Sequence, residues 1–228
     1  MKIKTEKYQK ILKLKKKFKF SDFELITNYG LFSGDTNLFK TLTIFQLIYN
    51  TRKIKGNIIE FGIHKGNTSL LIKKILDIYK IKKKLYLFDH FKGLVHFEKK
   101  DTAASKKFYN SYSGKKNQIK SFINFFKFKN VKIIDKNALD LKLGYFENIS
   151  FSLAYFDLDL YLPTLKALNS INKNMSVGSF MVFDQGSKKL WAERKAINEF
   201  ISKNKNYKKI YIDNKKRQPD IVLEKIKG

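Results

Sequence analysis

The chain has 228 residues, 43% of them apolar and 15% aromatic, with no Cys and a formal charge of +28. A single domain of this length buries about 70% of the surface its unfolded chain exposes, so it needs no covalent staple. The lack of Cys excludes a disulfide framework, a thiolate zinc site and a cysteine nucleophile, and no apolar run is long enough for a membrane span.

The charge predicts non-specific polyanion binding at low salt. Only Arg52, Arg194 and Arg217 are arginines, however, and the rest of the basic residues are Lys. Readers of phosphates and base edges favour the bidentate guanidinium fork. The Lys here accompanies abundant Ile, Asn, Phe and Tyr, which points to a compositional bias rather than a nucleic-acid surface. The first residues lack the apolar core and small-residue cleavage site of a secretory leader, so a cytoplasmic protein is expected.

In chain order, Lys2 to Phe20 is predicted as a basic amphipathic helix with Tyr8, Ile11, Leu12 and Leu14 on or near one face. It suits the core, a partner subunit or a membrane surface, in that order. Residues 1–54 are expected to form a helical extension over one edge, suggestive of a homo-oligomer interface, and residues 55–228 a single globular unit. Strands are predicted at Asn57–Gly62, Leu85–Asp89, Val131–Ile134, Ser152–Asp157 and Ser179–Asp184, with a terminal pair at Tyr207–Ile212 and Asp220–Glu224. Helices are predicted at Thr68–Tyr79, Lys115–Phe128, Thr164–Ile171 and Trp191–Lys203. Short apolar strands alternating with helices make βαβ units, and hence an α/β, mostly parallel sheet covered on both faces.

In such a sheet ligands collect beyond the carboxyl ends of the strands. Four predicted strands carry an acid there: Glu60, Asp89, Asp157 and Asp184. The first runs into E-F-G-I-H-K-G-N-T, where Gly62 and Gly66 permit a tight turn and Thr68 opens a helix whose amides favour an anion. The loop is not a G-x-G-x-x-G dinucleotide turn, because Ile63 and His64 follow Gly62. Asp89 sits where nucleotide folds place an acid on ribose hydroxyls, with Phe91 and Leu94 beyond it to line an adenosine pocket. In D-L-D-L-Y, Asp157 and Asp159 point the same way if the strand continues, and Asp184 lies on the next strand. Carboxylates so close repel, and Mg2+ or Mn2+ would neutralise them. His64, His90 and His96 read as loop histidines, with His64 or His90 an alternative base, and Tyr161 and Trp191 as core rather than stacking residues.

Glu60–Thr68, F-D-H-F-K-G-L (Phe88–Leu94), A-Y-F-D-L-D-L-Y-L-P-T (Ala154–Thr164), M-V-F-D-Q (Met181–Gln185) and E-x-x-A-x-x-E-F (Glu193–Phe200) occur in that order. The set, over residues 55 to 200, resembles the macrocin O-methyltransferase family, class I S-adenosylmethionine-dependent enzymes that methylate sugar hydroxyls in natural products. The resemblance implies a Rossmann-like seven-stranded sheet and an S-adenosyl-L-methionine cofactor. It implies cofactor contacts from Glu60, Gly62, Gly66, Thr68 and Asp89, metal ligands Asp157 and Asp184, and Asp159 as general base. Where the family often has a second Asp, this chain has Gln185, which offers an uncharged amide oxygen to the metal. The expected reaction is metal-assisted O-methylation of a sugar or glycosylated small molecule, in surface-polysaccharide or natural-product synthesis. The alternative expected from the charge is an RNA methyltransferase or a basic nucleic-acid-binding protein.

Overall fold

Three of the strand ends read F-D and a fourth reads F-G, and this repeat is what organises the molecule. The computed structural model describes residues 9, 12–27, 35–212 and 217–228. Among them seven strands form one sheet: β1 (Asn57–Phe61), β2 (Leu85–Asp89), β3 (Val131–Asp135), β4 (Phe151–Phe156), β5 (Met175–Phe183), β6 (Tyr207–Tyr211) and β7 (Ile221–Lys225). Their spatial order is β3-β2-β1-β4-β5-β7-β6. The first five run parallel, and β7 is antiparallel to both β5 and β6. The order reverses direction between β1 and β4, which opens a crevice beyond their carboxyl ends.

Alternate residues of a strand face opposite sides of a sheet, and both sides are covered here. One side carries Ile59, Phe61, Phe88, Phe156, Met181 and Phe183 against α5 (Tyr161–Ile171) and α6 (Glu193–Lys203). The other carries Ile58, Leu87, Leu153, Tyr155 and Val182 against α2 (Asp35–Asn50), α3 (Asn67–Ile78) and α4 (Lys116–Phe125). Phe88, Phe61, Phe156 and Phe183 stand in register on neighbouring strands. Phe61 and Phe183 both stack on Phe156, with ring centroids 5.1 and 4.9 Å away. Each buried ring contributes about 1.5–3 kcal/mol relative to exposure, so this row fixes the heights of four strand ends. The next residue on each strand is Asp89, Gly62, Asp157 or Asp184. The apolar row is thus the floor on which the polar row stands.

Helix α2 lies in the core rather than over an edge of the sheet. Ile44, Leu47 and Ile48 are buried in the same cluster as β1 and α3, a spacing that shares one helical face. Lys40, one turn before Ile44, lies on that face too. Farther toward the N-terminus, residues 12–18 are helical and α1 (Asp22–Thr27) begins with a capping box, in which Ser21 and Glu24 bond reciprocally. Tyr8 and Ile11, part of the predicted amphipathic face, lie outside the described residues. Phe18, Phe23 and Ile26 are exposed. Among the described residues no helix is long and apolar enough to cross a membrane.

Candidate active site

The polar row opens into a cavity of about 380 Å3. Its walls include Glu60, Gly62 and Thr68 from the first strand-to-helix turn, Asp89 and Leu94 from the second, and Asp157, Asp159, Asp184 and Gln185 from the ends of β4 and β5. Eight of the residues singled out for cofactor, metal or base roles therefore share one space. Gly66 and Phe91 lie outside its walls. Gly66 caps α3 with φ 82°, and Phe91 packs toward the α3–α4 side of the core.

Gly62 has φ +85°, and a Cβ there would lie 2.0 Å from the backbone oxygen of Asp157. The glycine is required because the end of β4 presses on the end of β1, which brings the acid segment against the loop. Asp89 has a related task. Its Oδ2 accepts from the amides of Ile63 (2.7 Å) and His64 (3.0 Å), and its Oδ1 from the amide of Phe91 (2.6 Å). A carboxylate offers about four lone-pair positions. With three used, Asp89 has room for one ribose hydroxyl, not for a whole diol, and its first task is to clamp both loops.

The first turn of α3 has no side-chain cap, so its amides remain available to an anionic group at the cavity edge. Beneath it Glu60, 1% exposed, accepts from the hydroxyl of Ser69. Burial pushes the Glu60 carboxyl up to about 8. Such a group is mostly neutral at pH 7 and gains its charge as pH rises through about 8.

The acids of β4 and β5 form the opposite wall. Asp184, 4% exposed, accepts at one oxygen from the Lys40 ammonium (2.8 Å) and from the hydroxyl of Tyr155. Lys40 also lies over the Tyr155 ring, 5.2 Å from its centroid. Burial works to lower the Lys40 value, but the carboxylates of Asp184 and Asp157 outweigh it and hold the ammonium above its ordinary range. Asp159 takes φ 60° just past the strand, and its carbonyl accepts from the amides at the start of α6, Ala192 (3.0 Å) and Glu193 (3.2 Å). Its side chain, in a residue 7% exposed, accepts from the amide nitrogen of Gln185 (3.0 Å). Burial, and after it the charges of Asp157 and Asp184, raise Asp159 well above the carboxylate range. Burial and then Asp184 push half-buried Asp157 up to about 7. Behind them Glu193 is fully buried, accepts from the Gln185 amide (3.1 Å) and is likewise raised well above its ordinary value by burial.

The expected metal centre of Asp157, Asp184 and Gln185 does not fit this arrangement. One oxygen of Asp184 already faces an ammonium and a phenol. Gln185 directs its amide nitrogen at Asp159, and Gln brings no charge. Among the described residues no three His, Asp or Glu side chains come together as a set able to hold an ion.

The three histidines all reach the cavity wall. His64 meets Tyr112 edge-on at 5.7 Å, and His90 Nδ1 accepts from the Lys92 amide (3.0 Å). Tyr161 and Trp191 pack in buried clusters, as expected from the sequence. Sequence reasoning missed Lys40, Tyr112 and Tyr155. Tyr155 was legible in principle, two residues before Asp157 on the same strand and therefore on the same face. Lys40 carried no such signal.

The profile of the family described as Macrocin-O-methyltransferase (TylF) matches residues 37–215. The chain belongs to this family. It is an S-adenosylmethionine-dependent O-methyltransferase, and its sheet is that of the Rossmann-like class I methyltransferases. Among solved structures, the calicheamicin methyltransferase CalS11 superposes with a TM-score of 0.79 at 20% identity, over 97% of this chain and 91% of that one. An apo structure of CalS11, titled a TDP-rhamnose 3'-O-methyltransferase, gives 0.72 at 21% identity over 97% and 93%. The O-methyltransferase NovP gives 0.68 at 18% identity over 82% and 79%. At these identities the likeness concerns the fold. A search of curated protein sequences finds no match.

Proposed function

We propose that this macrocin O-methyltransferase homologue transfers the methyl group of S-adenosylmethionine to a hydroxyl of a sugar or of a glycosylated small molecule. The observation that carries the reading is the meeting, in one cavity, of the Gly62 loop with the Asp157–Asp159 segment. The family description and the sugar substrate in the CalS11 title support a carbohydrate acceptor.

The sulfonium supplies the electrophile, so the chain has two tasks: alignment and proton removal. Glu60, the uncapped first turn of α3 and the clamp made by Asp89 position the cofactor. Gly66 and Phe91 act through the shape of the same loops. The acceptor oxygen belongs against Asp157 and Asp159, in line with the methyl carbon and sulfur. Alignment of this kind supplies about 7–11 kcal/mol of barrier lowering in favourable cases. The two carboxyls divide the work: one stays protonated and the other serves as base. Asp159, raised by burial and then by the charges of Asp157 and Asp184, keeps its proton at neutral pH. Asp157, half-buried with a value of about 7, accepts the hydroxyl proton as the C–O bond forms and the C–S bond breaks. A value near the working pH is what general-base catalysis favours.

The description of the matching family, a macrocin O-methyltransferase, favours this reading over the nucleic-acid alternative. The exposed apolar residues Phe18, Phe23, Ile26 and Leu42 support association of two copies through the N-terminal helices, which light scattering would show as a dimer mass. The function is tested by incubating the protein with S-adenosylmethionine and panels of nucleotide sugars, glycosides and RNA. Release of S-adenosylhomocysteine with one methyl added to a sugar supports it. Transfer to RNA alone refutes it.

A further inference from the structure

We propose that Lys40 is the resident cation of this active site: its ammonium holds the place among the acids that a divalent ion would otherwise take, and the enzyme works without a metal. This rests on reading the cavity as the methyl-transfer site. It assigns a positioning role to a residue from the N-terminal region, outside every motif of the sheet.

Three independent features carry it. The first is geometry: Nζ of Lys40 stands 2.8 Å from Oδ1 of Asp184, in an ion pair whose side chains are 18% and 5% exposed. A charge-assisted bond of this length is among the stronger ones a protein makes. The second is that the ammonium is built in. Lys40 shares the helical face of Ile44, Leu47 and Ile48, which anchor α2 in the core, so the charge is delivered by a rigid element. Tyr155 completes its seat, with its ring below the ammonium and its hydroxyl on the same Asp184 oxygen. The third is the state of the other donors. Gln185 donates to Asp159, whose carbonyl is engaged by Ala192 and Glu193. The Gln185 side chain is thus already held toward Asp159 through its amide nitrogen.

The ammonium does part of what an ion does. It pairs with the buried Asp184 in place of water, and it ties the end of β5 to α2. It brings no Lewis acidity to the acceptor oxygen, and proton removal then falls to Asp157.

The test uses the full-length protein and Mn2+, whose free six-line electron paramagnetic resonance signal disappears on binding. Its readout does not require knowledge of the acceptor. The wild type, with and without S-adenosylhomocysteine, should leave the signal of millimolar Mn2+ unchanged. Lys40→Ala removes the ammonium while Asp157 and Asp184 remain, and should raise Mn2+ affinity on the order of tenfold or more. Lys40→Arg, which keeps the charge, should stay as blind to the ion as the wild type. Thermal melts of each variant confirm that the folded protein is being titrated. Tight Mn2+ binding by the wild type overturns the proposal, and so does a Lys40→Ala protein that binds no better than the wild type. Calorimetry with S-adenosylhomocysteine on the same samples separates the two readings. Failure to bind the nucleoside product counts against the methyltransferase site, whereas the Mn2+ result bears on Lys40.

Discussion

Replacing Glu60 by Gln isolates the burden of an acid buried in the cofactor wall. The carboxyl is 1% exposed and bonded to Ser69, and the isosteric amide preserves an oxygen to accept that bond. In the folded protein Glu60 titrates at about 8 against an ordinary value of 4.5. Below pH 4.5 both folded and unfolded chains hold the proton, and the group has no effect on stability. As pH rises, the unfolded chain releases a proton that the folded chain keeps, so stability falls until about pH 8. The slope is about 1.36 kcal/mol per pH unit, which sets a ceiling of about 4–5 kcal/mol. For a chain of this size that is a melting-temperature difference on the order of 10 °C. Calorimetric melts of ligand-free wild type and Glu60→Gln should coincide near pH 4.5 and diverge toward pH 8.5, with the variant the more stable. A constant offset across the range, or a less stable variant at pH 8.5, would refute the reasoning.

Gly62→Ala should destabilise the protein by about 2–5 kcal/mol, from a strained positive φ and a Cβ driven into the Asp157 carbonyl; urea unfolding measures it, and a change under 1 kcal/mol would show that β4 gives way. Asp89→Ala should weaken S-adenosylhomocysteine binding by calorimetry and speed amide exchange at Ile63, His64 and Phe91, since those amides lose their acceptor. Asp157→Asn should lower kcat by about 10²–10⁴-fold with cofactor affinity little changed, whereas Asp159→Asn, isosteric with the protonated acid, should keep most of it; normal turnover of Asp157→Asn would move the base to Asp159, His64 or His90. Because Asp157 must be ionised to accept a proton and titrates at about 7, kcat should rise with pH through 7 and level off above it. Asp157→Asn should abolish that rise.

The parts of the fold that come from period and punctuation were open to reading. The F-D and F-G pairs mark strand ends because an apolar residue faces the core while the next meets solvent, and register then lines them up. That logic placed Asp89, Asp157 and Asp184 along one rim, and the alternation of strand and helix implied the parallel sheet. Chemistry at a strand end is more ambiguous. An acid there can hold a ribose, a metal or a loop, and only three-dimensional contact shows that Asp89 holds amides. Gly62 was expected to permit a tight turn, and its missing Cβ also makes room for the backbone of Asp157. Lys40 was hidden among many lysines, since its meaning depends on how α2 crosses the sheet, a relation that no local pattern encodes. The expected metal followed from repulsion among acids, and that argument omitted a cation supplied by the chain itself.

The account rests on cofactor and acceptor sharing the cavity between the Gly62 loop and the Asp157–Asp159 segment. A crystal structure with S-adenosylhomocysteine tests this most directly. The account predicts the nucleoside along Glu60, Gly62 and Thr68, one ribose hydroxyl on Asp89, and the sulfur facing Asp157. A ligand bound elsewhere, or with its sulfur turned away from the Asp157–Asp159 segment, would contradict it.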